Sequence, residues 1–261
     1  MKSVILAAVA ALSFASPVLA QSTTVTTLNG TQGGFANYDT NPASSATITP
    51  NTALSPDGSL QISGTLNRVQ NASQFGATTA QSLGLANDLV SLTGDYLVTN
   101  SSLDGIQSPA FRVYIQNGTQ RSELIYEASN NGGYVVGTPT SVTAASLFYQ
   151  NISGIGATLN GTGGYVLRTL ADFGDTYTSS AYISAFGVGN GNCPGTGNCA
   201  NFSALADNLA LTVGNTTRSV NFAAVAAVPE PATWAMMLVG FGAIGAATRR
   251  SRRKTAIAQA V

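Results

Sequence analysis

The chain has 261 residues, 44% of them hydrophobic but only 8% charged, with no histidine and two cysteines. Its formal net charge of zero conceals an asymmetry: in 21–228 only Arg68, Arg112, Arg121, Arg168 and Arg218 face ten carboxylates, a net charge of −5. Five scattered cations cannot neutralise a run of phosphates, so a nucleic-acid partner is excluded, and the absence of histidine removes Ser-His-Asp and Cys-His catalysis and every histidine zinc site.

At the N-terminus, Lys2 precedes an apolar run from Val4 to Ala15, and Pro17-Val18-Leu19-Ala20 supplies the small residues that signal peptidase accepts before Gln21. Residues 1–20 are therefore expected to be a cleaved signal peptide, because the run is too short to span about 30 Å of hydrocarbon.

Residues 21–222 carry little helical periodicity and many short alternating runs broken by Gly, Asn and Pro. In 59–66, Leu60, Ile62 and Leu66 share a face, and in 111–115 Phe111, Val113 and Ile115 do the same. Further strands are predicted at 88–99, 123–128, 145–152, 165–170, 180–188 and 209–213, with one helical turn at 171–176. That many strands must stack to bury their apolar faces. The expected fold is all-β, an antiparallel two-sheet sandwich of jelly-roll type, with a short linker at 223–228.

Without histidine, catalysis falls to a carboxylate pair of the glycosidase kind, for which Glu123 with Glu127 and Asp172 with Asp175 are the candidates. Glu123 and Glu127 would stand roughly 13 Å apart along a strand, too far for either glycosidase geometry, and read better as structural carboxylates. Asp172 and Asp175 flank Phe173-Gly174 and are equally explained by helix capping. The domain is therefore read as non-enzymatic.

Cys193 and Cys199 enclose Pro-Gly-Thr-Gly-Asn, a segment that can fold back tightly. Outside the cytoplasm they are expected to form a disulfide worth about 2 to 3 kcal/mol by loop closure. The polar, low-charge composition and nine tyrosines suit contact with a polysaccharide.

The end of the chain combines three features. Pro229-Glu230-Pro231 is followed by Trp234-Ala235, then a charge-free stretch, 232–248, and a basic cluster, Arg249, Arg250, Arg252, Arg253 and Lys254; residues 255–261 form a tail. As a helix the 17 residues of 232–248 would be about 25 Å long, just enough to cross a bilayer with the cations on the cytoplasmic side. Gly240, Gly242 and Gly245 fit a G-x-G-x-x-G pattern, but no βαβ unit surrounds them, so a dinucleotide site is rejected.

This tail resembles the PEP-CTERM sorting signal in its PEPxxWA form. The resemblance implies a partner, an exosortase-type membrane transpeptidase that cuts near Pro-Glu-Pro, and a bacterial surface or extracellular protein of exopolysaccharide habit. The prolines would hold an extended substrate segment just outside the membrane. The segments 108–114, 122–127 and 206–213 loosely resemble lectin-like jelly rolls, which implies a structural calcium candidate at Asp207, although Asp207-Asn208 reads better as a plain turn before the last strand; otherwise no cofactor or metal is expected.

Overall fold

A computed structural model describes residues 19–42, 44–72, 81–101, 107–153, 160–161, 164–191, 201–225 and 236–244. The chain divides into two units, Met1–Ala224 and Val225–Val261.

The first unit is built on two sheets. One contains β1 (Leu19–Val25), β3 (Ser45–Thr49), β4 (Ser59–Ser63), β6 (Leu89–Asn100), β9 (Thr140–Val142), β14 (Ser203–Val213) and β15 (Thr216–Phe222). The other runs in the order β10 (Phe148–Ser153), β8 (Gln120–Tyr126), β7 (Ala110–Asn117), β13 (Tyr182–Asn190), β5 (Asn67–Gln70) and β2 (Ala36–Thr40). A separate two-stranded piece pairs β11 (Asn160–Gly161) with β12 (Gly164–Tyr165). This mostly β architecture is compatible with a jelly roll.

Alternation explains the core. Leu60 and Ile62 of β4, Phe111, Val113 and Ile115 of β7, and Leu124 and Tyr126 of β8 enter one apolar cluster that draws on both sheets. Within it Phe35 makes edge contacts with Phe186 and Phe222 at 5.6 and 5.5 Å, and Phe111 meets Tyr126 edge-on at 5.9 Å.

β6 crosses over Phe111 at Gly94, where a Cβ would stand 2.5 Å from that ring. Gly94→Ala should therefore cost about 1 to 3 kcal/mol through overpacking. Urea unfolding checks it: the midpoint is expected to fall with the slope unchanged.

Two expectations need correction. The sheets are not wholly antiparallel, since β1 pairs parallel with β15, from Leu19 opposite Thr216 to Val25 opposite Phe222. Leu19 and Ala20 of that strand belong to the stretch read as a signal peptide, and Gln21 to Val25 hold the rest of the register. The strand expected at 165–170 is broken: β12 stops at Tyr165, Arg168 keeps an isolated bridge to Phe148, and α1 (Leu170–Gly174) begins at Leu170. Thr169 caps α1 by accepting from the Asp172 backbone N–H while the Asp172 carboxylate accepts from the Thr169 backbone, so a capping box ends the strand.

In the second unit the described helix covers 236–244, within the expected 232–248. At 1.5 Å per residue it is about 13 Å long. Among the described residues no helix is long and apolar enough to cross a membrane. Met236, Leu238, Val239, Phe241 and Ile244 are all exposed on it. Gly240 and Gly242 lie inside this helix and not at a strand-to-helix turn, consistent with rejecting a dinucleotide site.

Candidate functional site

Directly paired residues of antiparallel strands share a face, so the register of the six-stranded sheet defines its outer surface. Across β7 and β8 the pairs Arg112–Ile125, Tyr114–Glu123 and Gln116–Arg121 lie opposite the core row of Phe111, Val113 and Ile115. On the other side of β7, Arg112 stands beside Gly187 and Tyr114 beside Ala185 of β13. Gly187 and Gly189 in turn face Gln70 and Arg68 of β5. The result is a row of small residues along β13, with Gln70 and Arg68 on one side and Arg112 and Tyr114 on the other.

The centre of this face is charged. Arg112 donates to Glu123 at 2.5 Å, and the two side chains are only 5% and 1% exposed. Asn151 donates to the other Glu123 oxygen at 3.0 Å. Burial alone would raise the Glu123 pKa, but the Arg112 charge, the Asn151 amide and the Arg68 charge outweigh it and hold the carboxyl below the ordinary 4.5. Burial raises Tyr114 well above the usual phenol range, against the pull of Arg112, so its hydroxyl keeps its proton. Arg112 itself is raised despite burial, by Tyr114 and Glu123.

A carboxyl depressed in the fold stabilises it above the unfolded value, and that contribution is lost as pH falls through the folded value. Glu123 should therefore make the protein lose stability below about pH 4.5, the ordinary value from which it is lowered. Urea midpoints between pH 5.5 and pH 3 check this, with a shallower decline expected for Glu123→Gln.

The candidate carboxylates all take part in structural contacts. Glu123 is locked to Arg112 and Asn151, and Glu127 accepts from the Tyr149 hydroxyl at 2.9 Å beyond the end of β8. Asp172 serves the capping box, where the Thr169 hydroxyl donates to it at 2.7 Å, and Asp175 is the C-cap of the same turn.

Asp207 is not in a turn before the last strand. It lies inside β14, where the partner on one side changes from β4 to β15, and the adjoining Asn208 adopts a left-handed φ of 54° at a register shift against β6. One Asp207 oxygen accepts from the backbone N–H of Asn208 and of Phe222, both at 2.8 Å, and this pins the bulge to β15. Burial raises its pKa, partly offset by those backbone donors. The second Asp207 oxygen and the Asn221 amide oxygen are buried without partners, and among the described residues no group of three metal-ligating side chains gathers.

Among the described side chains the tyrosines form no exposed aromatic platform: Tyr38 is exposed, Tyr134 is half-buried, and Tyr96, Tyr114, Tyr126, Tyr149, Tyr177 and Tyr182 are buried. Sequence reading missed the Arg112, Tyr114 and Arg68 face. The alternation in 111–115 already placed Arg112 and Tyr114 together, but only the pairing of β5, β13, β7 and β8 brings Arg68, Glu123 and Arg121 to the same surface.

Pro229, Glu230, Pro231, Trp234, Ala235, the basic residues Arg249, Arg250, Arg252, Arg253 and Lys254, and Cys193 and Cys199 lie outside the described residues.

Fold and tail together define an exported β-sandwich protein with a C-terminal sorting signal. Residues 227–253 match the family model of the PEP-CTERM protein-sorting motif. The chain is thus an exosortase-sorted exported protein, anchored in the membrane before processing, with an exosortase-type enzyme as its processing partner. No curated protein and no solved structure matches the chain.

Proposed function

We propose that the exported sandwich is a non-catalytic component of the cell surface or extracellular matrix that associates with exopolysaccharide. In this reading 232–248 serves as the transient membrane anchor and the basic cluster holds its cytoplasmic end until the exosortase-type enzyme acts. The observation that carries the reading is the sorting motif at 227–253, placed behind a β-sandwich with a polar outer sheet face. Sugar hydroxyls exchange water for amide and guanidinium groups with little net gain, so a single sugar should bind only near the millimolar range, about 4 kcal/mol, and retention should depend on repeated contacts.

Affinity electrophoresis of the full chain in detergent, through gels carrying different polysaccharides, tests this. Retardation by at least one of them is expected, with no new reducing ends. Release of reducing ends that Glu123→Gln abolishes would make the protein a hydrolase instead. The burial of six of the eight described tyrosine side chains favours a second reading, a purely structural surface protein, and free migration through every gel would select it.

A further inference from the structure

The inward face of the pair formed by β1 and β15 changes character along its length. Residues paired across neighbouring strands share a face, so Val25 with Phe222, Thr23 with Val220 and Gln21 with Arg218 form one row. Val25, Val220 and Phe222 belong to the apolar core, as does Leu211, the partner of Arg218 on β14. Arg218 therefore stands on the core-facing side of β15, where the row passes from apolar to polar. Its Nη1 is buried and has no hydrogen-bond partner.

A cavity of about 200 Å³ lies beside this guanidinium. Its lining is divided in two. Phe35, Leu83, Phe186 and Val220 supply the apolar part, and all but the half-buried Leu83 are buried. Gln21, Thr23, Asn71 and Ser219 supply neutral polar groups, and Arg218 is the one charged residue among the described residues of the lining. Asn71 Oδ1 accepts from the Phe186 backbone N–H at 2.8 Å, which leaves the Asn71 amide nitrogen as a second donor on the cavity wall.

A buried guanidinium nitrogen without a partner is unfavourable until an acceptor reaches it, and no carboxylate of the described lining does so. The acceptor must come from a ligand with an apolar body. Inorganic phosphate would leave the apolar wall to water, and a sugar acid would press unpaired hydroxyls against Phe35 and Phe186. Since an apolar cavity of about 150 Å³ takes one benzene ring, the present one has room for a single ring or a short chain with its carboxylate.

We infer that this cavity binds a small monocarboxylate with an apolar body, whose carboxylate accepts from Arg218 Nη1 and the Asn71 amide while the body lies against Phe35, Leu83, Phe186 and Val220. The planar guanidinium suits a carboxylate better than any other anion of this size, because it can offer N–H groups to both oxygens at once. The site lies on the core-facing side of β15, away from the outer face that carries Arg112 and Glu123, and it is independent of the polysaccharide reading.

Fluorine NMR of the full chain in detergent, with detergent alone as the blank, follows the signal of 4-fluorophenylacetate. Broadening beyond the blank is expected, with displacement by hexanoate and not by glucuronate. The uncharged 4-fluorophenylacetamide should bind about tenfold more weakly, and Arg218→Gln should weaken the acid about tenfold while leaving the amide unchanged. Arg218 Nη1 has no partner to lose, so the urea midpoint of that variant should not fall. Leu83→Trp, which fills the cavity and keeps the guanidinium, should abolish binding of acid and amide alike. Equal binding of acid and amide would overturn the role of Arg218. Acid binding that survives Leu83→Trp would reduce it to ion pairing at the surface and overturn the cavity site, and displacement by glucuronate as readily as by hexanoate would overturn the apolar body. No broadening beyond the blank would overturn the inference outright, whereas the polysaccharide gels decide the earlier reading separately.

Discussion

Replacing Pro229 and Pro231 by alanine, or Glu230 by glutamine, is expected to leave export intact and trap the whole chain in the membrane fraction. The three residues stand within the matched sorting motif, upstream of the apolar stretch and the basic cluster. Proline fixes φ, lacks an N–H and pushes its predecessor out of the helical region, so the sequence Pro-Glu-Pro is expected to offer an extended backbone to a protease. Alanines would let helix propagate upstream and withdraw the substrate. The anchor and the cations remain in the variant, and nothing then releases it. Fractionation with immunodetection should show full-length protein in membranes and a near-complete loss from surface and medium. Variant protein of processed size outside the cell would refute the role of the triplet.

The second large effect belongs to the buried ion pair. Arg112→Met should destabilise the sandwich by about 3 to 5 kcal/mol, because Glu123 would be left charged and buried with only the Asn151 amide and more distant Arg68 to compensate it. For a domain of this size that is on the order of 10 °C in melting temperature. Arg112→Met combined with Glu123→Leu should recover most of the loss, since removing both charges also removes their desolvation cost. Calorimetry of the single and double variants distinguishes the cases. A single variant within about 1 kcal/mol of the parent would mean that the pair is solvated, and the charged face would have to be redrawn.

How far the sequence disclosed this protein depends on whether a feature is local. The tail was legible because its parts are contiguous and each has its own physics: prolines, an apolar stretch, a cation cluster. Strands such as Phe111 to Ile115 were legible because strict alternation marks a face. β1, with the sequence LAQSTTV, and β15, with TTRSVNF, were missed because their residues are mostly polar, and they form a parallel edge pair that only the folded chain brings together. The Asp207-Asn208 pair looked like a turn because Asp and Asn favour turns; the same preference for left-handed backbone lets Asn208 sit in a bulge mid-strand. The nine tyrosines suggested sugar contact, yet burying a ring gains more than exposing it, and six of them are buried. The candidate site was half visible: Arg112 and Tyr114 alternate with core residues, while their partners Glu123, Gln70 and Arg68 come from other strands whose register no local pattern encodes.

The central claim is that the chain is exported, anchored and then released by cleavage at its sorting signal. Intact-mass spectrometry of the protein recovered from the cell surface and medium tests it most directly. The account predicts a species that begins at Gln21 and ends near Pro229-Glu230-Pro231, without the apolar stretch and the basic cluster. Extracellular protein that still carries residues through Lys254 would contradict it.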